Sequence, residues 1–328
     1  MPTVAAAVSA LHARLAGSSS VLLTGPEGPD GDSIGACLAL QRILAVALPG
    51  LEVRVAGRPA ARYAGLPGAG AMVPDAEVRP ADGVIVLDGD CTRLAPPVAA
   101  AFAAAAWRGL VDHHASTDPS AYDVAVLDPT AESTCGMVAG MMQAWGVPLD
   151  RPLAELLYVG LIFDTGGFRY SNTRPATHGL AAELLATGID HAQLSLDVLA
   201  ERRPQAVRLL AAILGDAELR CDGALHLGWC PRVRLDAVGA SEEDLEGVVD
   251  LLMNTRGVEL TALFVERGPA RVKLSLRSRG RVDVQALARR LHPGGGGHKK
   301  AAGASIPRSW AEAVAEVLPE LERAARGE

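Results

Sequence analysis

Ser20-Val21-Leu22-Leu23-Thr24, running into Gly25-Pro26-Glu27-Gly28-Pro29-Asp30-Gly31-Asp32, is the stretch that decides the fold class. A short apolar run ends in a turn-rich segment, and residues 33–48 then carry apolar side chains at helical spacing, with a cap near Asp32 or Ser33. Strand, loop and helix in that order form a βα unit. The unit recurs along the chain: β-rich runs at 51–56, 83–87 and 109–111 alternate with helical or turn segments, and a helical pattern at 5–17 precedes the first strand. This alternation predicts an α/β fold with a parallel sheet flanked by helices. Helical spacing returns at 131–145, 151–163 and 177–185.

The second part of the chain has a different pattern. Residues 224–230, 258–266 and 271–277 read as strands, the last two joined as a hairpin through Arg267-Gly268-Pro269. A helix at 282–291, a glycine run and a last helix at 309–326 complete a smaller, mixed-sheet α/β domain. With 328 residues the chain exceeds what one core usually organises. The expected division is a first domain at 1–190, a linker region at 191–215 and a second domain at 216–328, with the active site in the cleft between the domains.

Composition narrows the function. A hydrophobic fraction of 49% with 4% aromatics describes a globular protein whose core is built from Ala, Val and Leu. The net charge of −7 argues against capture of long duplex nucleic acid, which calls for a basic face, and leaves small anions received by local cations. Five cysteines without a C-x-x-C pair suggest neither a disulfide framework nor a zinc knuckle, and fit a reducing compartment. No leader pattern or apolar run of membrane-spanning length is evident, so a cytoplasmic protein without membrane association is expected.

Asp30, Asp88 and Asp112 each follow a predicted strand, at the sheet edge where open α/β folds place ligands. Asp30-Gly31-Asp32 puts two carboxylates on one turn. Taken alone this is also a common structural turn. Asp112-His113-His114 and Asp164 add the mixture of carboxylate and imidazole that divalent ions accept. Four carboxylates gathered without compensation would repel; two divalent cations would balance them and make hydroxide available near neutral pH.

The ordered set Pro29-Asp30-Gly31-Asp32, Asp88, Asp112-His113-His114 and Asp164 resembles the DHH phosphoesterase superfamily. Leu274-Ser275-Leu276-Arg277-Ser278, followed by Gly294-Gly295-Gly296-Gly297-His298-Lys299-Lys300, resembles the DHH-associated domain of its nano-RNase and 3′-phosphoadenosine-5′-phosphate phosphatase branch. The resemblance implies that Asp88 bridges two metals, with Asp30 on the first and Asp32, His113 and Asp164 on the second. His114 would face the phosphate, and Asp112 would either orient an imidazole or act directly. Manganese is the implied metal, with magnesium as the alternative. In the second domain, Arg277 and the backbone of Gly295, Gly296 and Gly297, together with His298 and a short helix starting at Lys299-Lys300, would hold a terminal phosphate. Arg169 could join them or form a surface salt bridge. One departure stands out: the family's histidine four residues before the first aspartate is Pro26 here, leaving Glu27, Asp90 or water to fill the place.

The implied activity is hydrolysis of very short oligonucleotides or of 3′-phosphoadenosine 5′-phosphate. A cyclic- or linear-dinucleotide phosphodiesterase is the close alternative, and a nucleotide-binding protein with a degenerate first metal site is the non-enzyme reading. Short oligonucleotides or small phosphorylated nucleotides are the expected partners, and a homodimer is left open.

Overall fold

The computed structural model describes residues 3–328, which divide into two compact units at Glu201/Arg202. In unit 1 the chain runs α1 (Val4–Ala16), β1 (Ser20–Thr24), α2 (Gly31–Ala47), β2 (Glu52–Val55), β3 (Gly83–Leu87), α3 (Pro96–Ala104), β4 (Trp107–Asp112) and β5 (Val124–Leu127). Helices α4 (Thr134–Ala144), α5 (Arg151–Asp164), α6 (Pro175–Ala186) and α7 (His191–Ser195) follow. All strand pairings in this sheet are parallel, in the order β2-β1-β3-β4-β5.

Both faces of the sheet are covered, which explains its apolar sequence runs. Val21, Leu23, Ile85, Leu87 and Val111 pack with α1, α2, α4 and α5, whereas the intervening Leu22, Val84, Val86 and Leu110 pack with α3 on the other face. Period-two alternation therefore sends every residue of a central strand into a core. Truncating fully buried Leu23 or Ile85 to Ala should destabilise the unit by about 2–5 kcal/mol.

Unit 2 begins with α8 (Pro204–Gly215), so that α7 and α8 make most of the expected linker region helical. It continues with β6 (Glu218–Arg220), β7 (Leu225–Cys230), α9 (Arg232–Val238), α10 (Val248–Met253), β8 (Leu260–Gly268) and β9 (Arg271–Ser278). Then come α11 (Val284–Leu291), β10 (Gly296–His298), β11 (Ala301–Ile306) and α12 (Trp310–Arg326). The sheet order is β10-β11-β9-β8-β7-β6, mixed because only β7 and β8 are parallel. No helix among the described residues is long and apolar enough to cross a membrane.

Two local expectations are corrected. Helix α2 is capped by Asp30, whose carboxylate accepts from the backbone N–H of Asp32 and Ser33, so the helix starts before the expected Asp32 or Ser33 cap. Lys299-Lys300 starts no helix: it is the turn of the β10–β11 hairpin. The glycines before it answer to close packing. A Cβ on Gly297, at φ +132°, would meet the Ala301 carbonyl at 2.4 Å, and one on Gly295 would meet the Ala288 carbonyl at 2.2 Å.

Candidate metal centre

Five carboxylates and two imidazoles are placed by two strand ends and two helix ends of unit 1. Asp30 caps α2 and Asp32 lies in its first turn; Asp88 follows β3; Asp112 closes β4, with His113 and His114 just beyond; Asp164 ends α5. Asp32 and Asp164 share a neighbourhood because α2 and α5 cross closely. A Cβ on Gly35 would meet the Leu156 carbonyl at 2.6 Å, and one on Gly160 would meet Asp32 Oδ1 at 2.4 Å. Asp88 has φ +61°, a left-handed conformation uncommon outside glycine, which turns the chain sharply at the end of the strand.

Asp32 is fully buried against the N-terminus of α4. The Thr134 and Cys135 N–H groups donate to its two oxygens at 2.6 and 2.9 Å. The Thr134 hydroxyl donates to Asp88 at 3.2 Å. His113 Nε2 lies 2.9 Å from Asp164 and 3.6 Å from Asp88, while its Nδ1 is 3.3 Å from the Ala131 carbonyl. Asp32, His113 and Asp164 thus present ligand atoms all within 4.8 Å of one another, as do Asp88, Asp112 and His114.

The electrostatics divide these acids into two kinds. Burial, reinforced by Asp164, pushes Asp32 up to about 7. Burial and the Asp164 charge likewise raise Asp30, and burial with Asp30, Asp32 and Asp164 nearby holds Asp88 well above the usual carboxylate range. His113 is pushed up to about 10: burial opposes its charge, but the hydrogen bond and charge of Asp164, then Asp32, outweigh it. Asp112 behaves in the opposite way. Burial would raise it, yet it is lowered, because its carboxylate accepts from the His113 N–H at 2.8 Å, the His114 N–H at 3.2 Å, His114 Nδ1 at 2.7 Å and the Thr117 hydroxyl.

This donor set suits divalent cations of the hard-to-borderline kind: oxygen and imidazole ligands, no thiolate, and negative charge that the protein itself leaves poorly compensated. Asp112 is the exception, since its oxygens are already committed to orienting the DHH loop and the His114 ring.

Other expected site residues sit as follows. Pro26 occupies the loop after β1, where a side chain on Gly89 would touch its ring at 3.4 Å. Asp90 caps the turn Cys91–Arg93 by accepting from the Thr92 N–H. Glu27, Asp90 and Asp30 itself all lie outside the groups of three or more converging ligand atoms among the described residues. Arg169 is exposed, with Nε donating to the Gly166 carbonyl at 2.6 Å. In unit 2, Arg277 is held by Asp250, with Nε at 2.6 Å, and His298 is exposed at the end of β10. Sequence reasoning missed Thr117, Thr134 and the α4 N-terminus. The Ser133-Thr134 pair ahead of an apolar helix was the available signal for that N-terminus.

Comparison with known proteins now defines the class. Residues 20–161 match the DHH family N-terminal domain and residues 233–327 match the DHHA1 domain, so the chain carries a DHH-family N-terminal domain followed by a DHHA1 domain. Among individual relatives, it is 34% identical over 219 residues to the bifunctional oligoribonuclease and PAP phosphatase NrnA of Thermus thermophilus, covering 65% of this chain and 64% of that protein. The NrnA protein of Bacillus subtilis strain 168 is 32% identical over 217 residues, with 65% and 66% covered. The alignments thus span just under two thirds of those relatives' length. An exopolyphosphatase-related protein from Bacteroides fragilis shares the fold at a TM-score of 0.87 and 23% identity, over 98% of this chain and 96% of that one. RecJ from Thermus thermophilus, determined with Mn2+, superposes at 0.58 and 15% identity, over 99% of this chain and 55% of RecJ.

Proposed function

We propose that this chain is a divalent-metal phosphoesterase that hydrolyses very short oligonucleotides, 3′-phosphoadenosine 5′-phosphate, or both. The observation that carries the reading is the clustering of Asp30, Asp32, Asp88, Asp164 and His113, in which burial first, and then the charge of the neighbouring acids, holds three carboxylates above their ordinary range. The names of the two NrnA relatives agree with it. Manganese is the proposed ion, with Asp30 and Asp88 toward a first site and Asp32, Asp88, His113 and Asp164 toward a second. Bound there, the ions would supply Lewis acidity and acidify water near neutral pH.

The chain's own groups do the rest. Asp112 orients His114 through Nδ1, and Nε2 is the ring nitrogen proposed to meet a phosphate oxygen or leaving group. In unit 2, Arg277, the backbone of Gly295 to Gly297 and His298 are proposed to hold a terminal phosphate, which would favour short substrates, with Arg169 as a further cation in unit 1.

The test is a panel of dinucleotides, longer oligonucleotides, cyclic dinucleotides and 3′-phosphoadenosine 5′-phosphate, incubated with manganese and resolved by size. The account expects release of mononucleotides or phosphate from the short substrates. Turnover restricted to cyclic dinucleotides, or no turnover, would overturn it. His298→Ala should raise KM about 10–100-fold for substrates with a terminal phosphate, the loss of one charge-assisted hydrogen bond of about 1.5–3 kcal/mol. A small chromogenic phosphodiester should be little affected, and equal effects on both would remove His298 from the anion site.

A further inference from the structure

A cavity of about 190 Å³ lies beside the carboxylate cluster and is not used by the chemistry above. Its walls come from the loop after β1 (Pro26 and Pro29), the end of β2 (Ala56) and the start of α3 (Ala95 and Val98). Its position follows from the topology. The chain leaves β1 for β2 on one side and returns to β3 on the other, so the connections diverge at β1/β3. Helices α2 and α3, which pack on opposite faces of the sheet, both line the cavity. Open α/β sheets bind nucleotides in the crevice at such a switch point.

The lining mixes apolar side chains with polar groups at two levels. At the bottom, Ser33 is fully buried and its hydroxyl has no hydrogen-bond partner. A buried hydroxyl in this state can accept from or donate to a guest in the cavity. Toward the rim stand Asp75, Glu27 and Arg58. Asp75 is raised by burial and by the Glu27 charge, a pair that a ligand's N–H donors would relieve.

A planar body between apolar walls, with N–H donors for a carboxylate and acceptors for an arginine, describes a nucleobase. Guanine fits best. Its N1–H and N2–H lie side by side and match the two oxygens of one carboxylate, while O6 and N7 match a guanidinium. Adenine places an acceptor at N1, which a carboxylate repels. We propose that the cavity between α2 and α3 is a nucleobase subsite that selects guanine in the nucleotide on the metal cluster, with Asp75, beside Glu27, accepting from its N–H edge, Arg58 facing O6/N7 and Ser33 closing the floor.

The inference rests on the phosphoesterase reading, and its test separates the two. Hydrolysis of GpG and ApA is compared in the unaltered protein, Asp75→Asn and Val98→Phe; the last fills the cavity from α3, away from the metal ligands. The unaltered protein should favour GpG by roughly tenfold or more in kcat/KM. Both variants should bring GpG down to the ApA level while leaving ApA within about twofold. Equal rates on the two dinucleotides in the unaltered protein, or an equal loss on both in the variants, would overturn the subsite. If neither dinucleotide is cleaved, the phosphoesterase reading fails and binding decides the subsite instead. Saturation-transfer NMR should then show guanosine, and not adenosine, on the unaltered protein and on neither variant. Absence of guanosine binding to the unaltered protein, or undiminished binding to Val98→Phe, would overturn it.

Discussion

The carboxylate floor and the loop beneath His114 use the same side chain in opposite ways. Asp32, Asp88 and Asp112 are all buried, and all stand at or near the carboxyl edge of one sheet. Yet Asp32 and Asp88 are raised, whereas Asp112 is lowered. The difference lies in what surrounds them. Asp112 is enclosed by donors from His113, His114 and Thr117, and is complete within the protein. Asp32 and Asp88 also receive hydrogen bonds, but they face one another, Asp30 and Asp164, and remain short of positive charge. Burial therefore does not distinguish a structural acid from a proposed metal ligand. The sign of the remaining electrostatic imbalance does.

The most drastic way to break this comparison is to remove one acid of each kind. Asp88→Ala should abolish turnover under all metal concentrations tested, with the fold retained. The metal-free variant should melt no lower than the metal-free parent, because a buried carboxyl crowded by other acids is gone. Hydrolysis at near the parental rate would refute the assignment. Asp112→Ala should instead destabilise the protein, by about 1–3 kcal/mol for each donor left unpaired in the interior, visible in denaturant unfolding. The milder Asp112→Asn should fold and lose about 10–100-fold in activity through a misoriented His114. If Asp88→Ala destabilises and Asp112→Ala does not, the two roles have been exchanged.

A pH titration sharpens the same contrast with opposite signs. Asp32 goes from 3.8 when unfolded to about 7 when folded, so the metal-free folded state binds more protons across that interval. Its stability should fall as pH rises from about 4 to about 7, and His113, raised from 6.5 to about 10, extends the fall beyond that interval. Asp112, lowered on folding, contributes stability that is present above 3.8 and lost as the pH falls through its folded value. Thermal melts of chelator-stripped protein, with and without manganese, should show the first slope only without metal. A slope unchanged by manganese would detach Asp32 from the site.

Much of this arrangement was legible in the sequence. The central strands are buried on both faces and appear as unbroken apolar runs, so the aspartates that follow them could be placed at one sheet edge. Strand β5 was missed because it is four residues long and mostly half-buried, which leaves little periodicity to detect. Hydrogen bonds were less legible than positions. That Asp30 caps α2, that Thr134 and Cys135 support Asp32, and that Asp250 holds Arg277 depend on which elements meet, and residue spacing along one element does not report that. The Gly294 to Gly297 run reads as a flexible loop, whereas packing of Gly295 against Ala288 and Gly297 against Ala301 explains its composition.

The smallest expected effect is at Pro26. Without an imidazole there, the proposed first ion would have Asp30 and Asp88 as its protein ligands and should bind more weakly than the second. Pro26→His should tighten the weaker site by about tenfold, within the range that a single metal ligand or its support commands, and leave the tighter one unchanged. Equal tightening of both sites, or of neither, would show that the proline does not define the first site.

The most direct test of the central claim is calorimetric titration of manganese into the chelator-stripped protein at neutral pH, repeated in buffers of different ionisation enthalpy to count protons released. The account predicts two ions per chain with unequal affinities, proton release on binding because Asp30, Asp32 and Asp88 are held above their ordinary range, and loss of both sites in Asp88→Ala. Binding without proton release, or two sites surviving in Asp88→Ala, would contradict it.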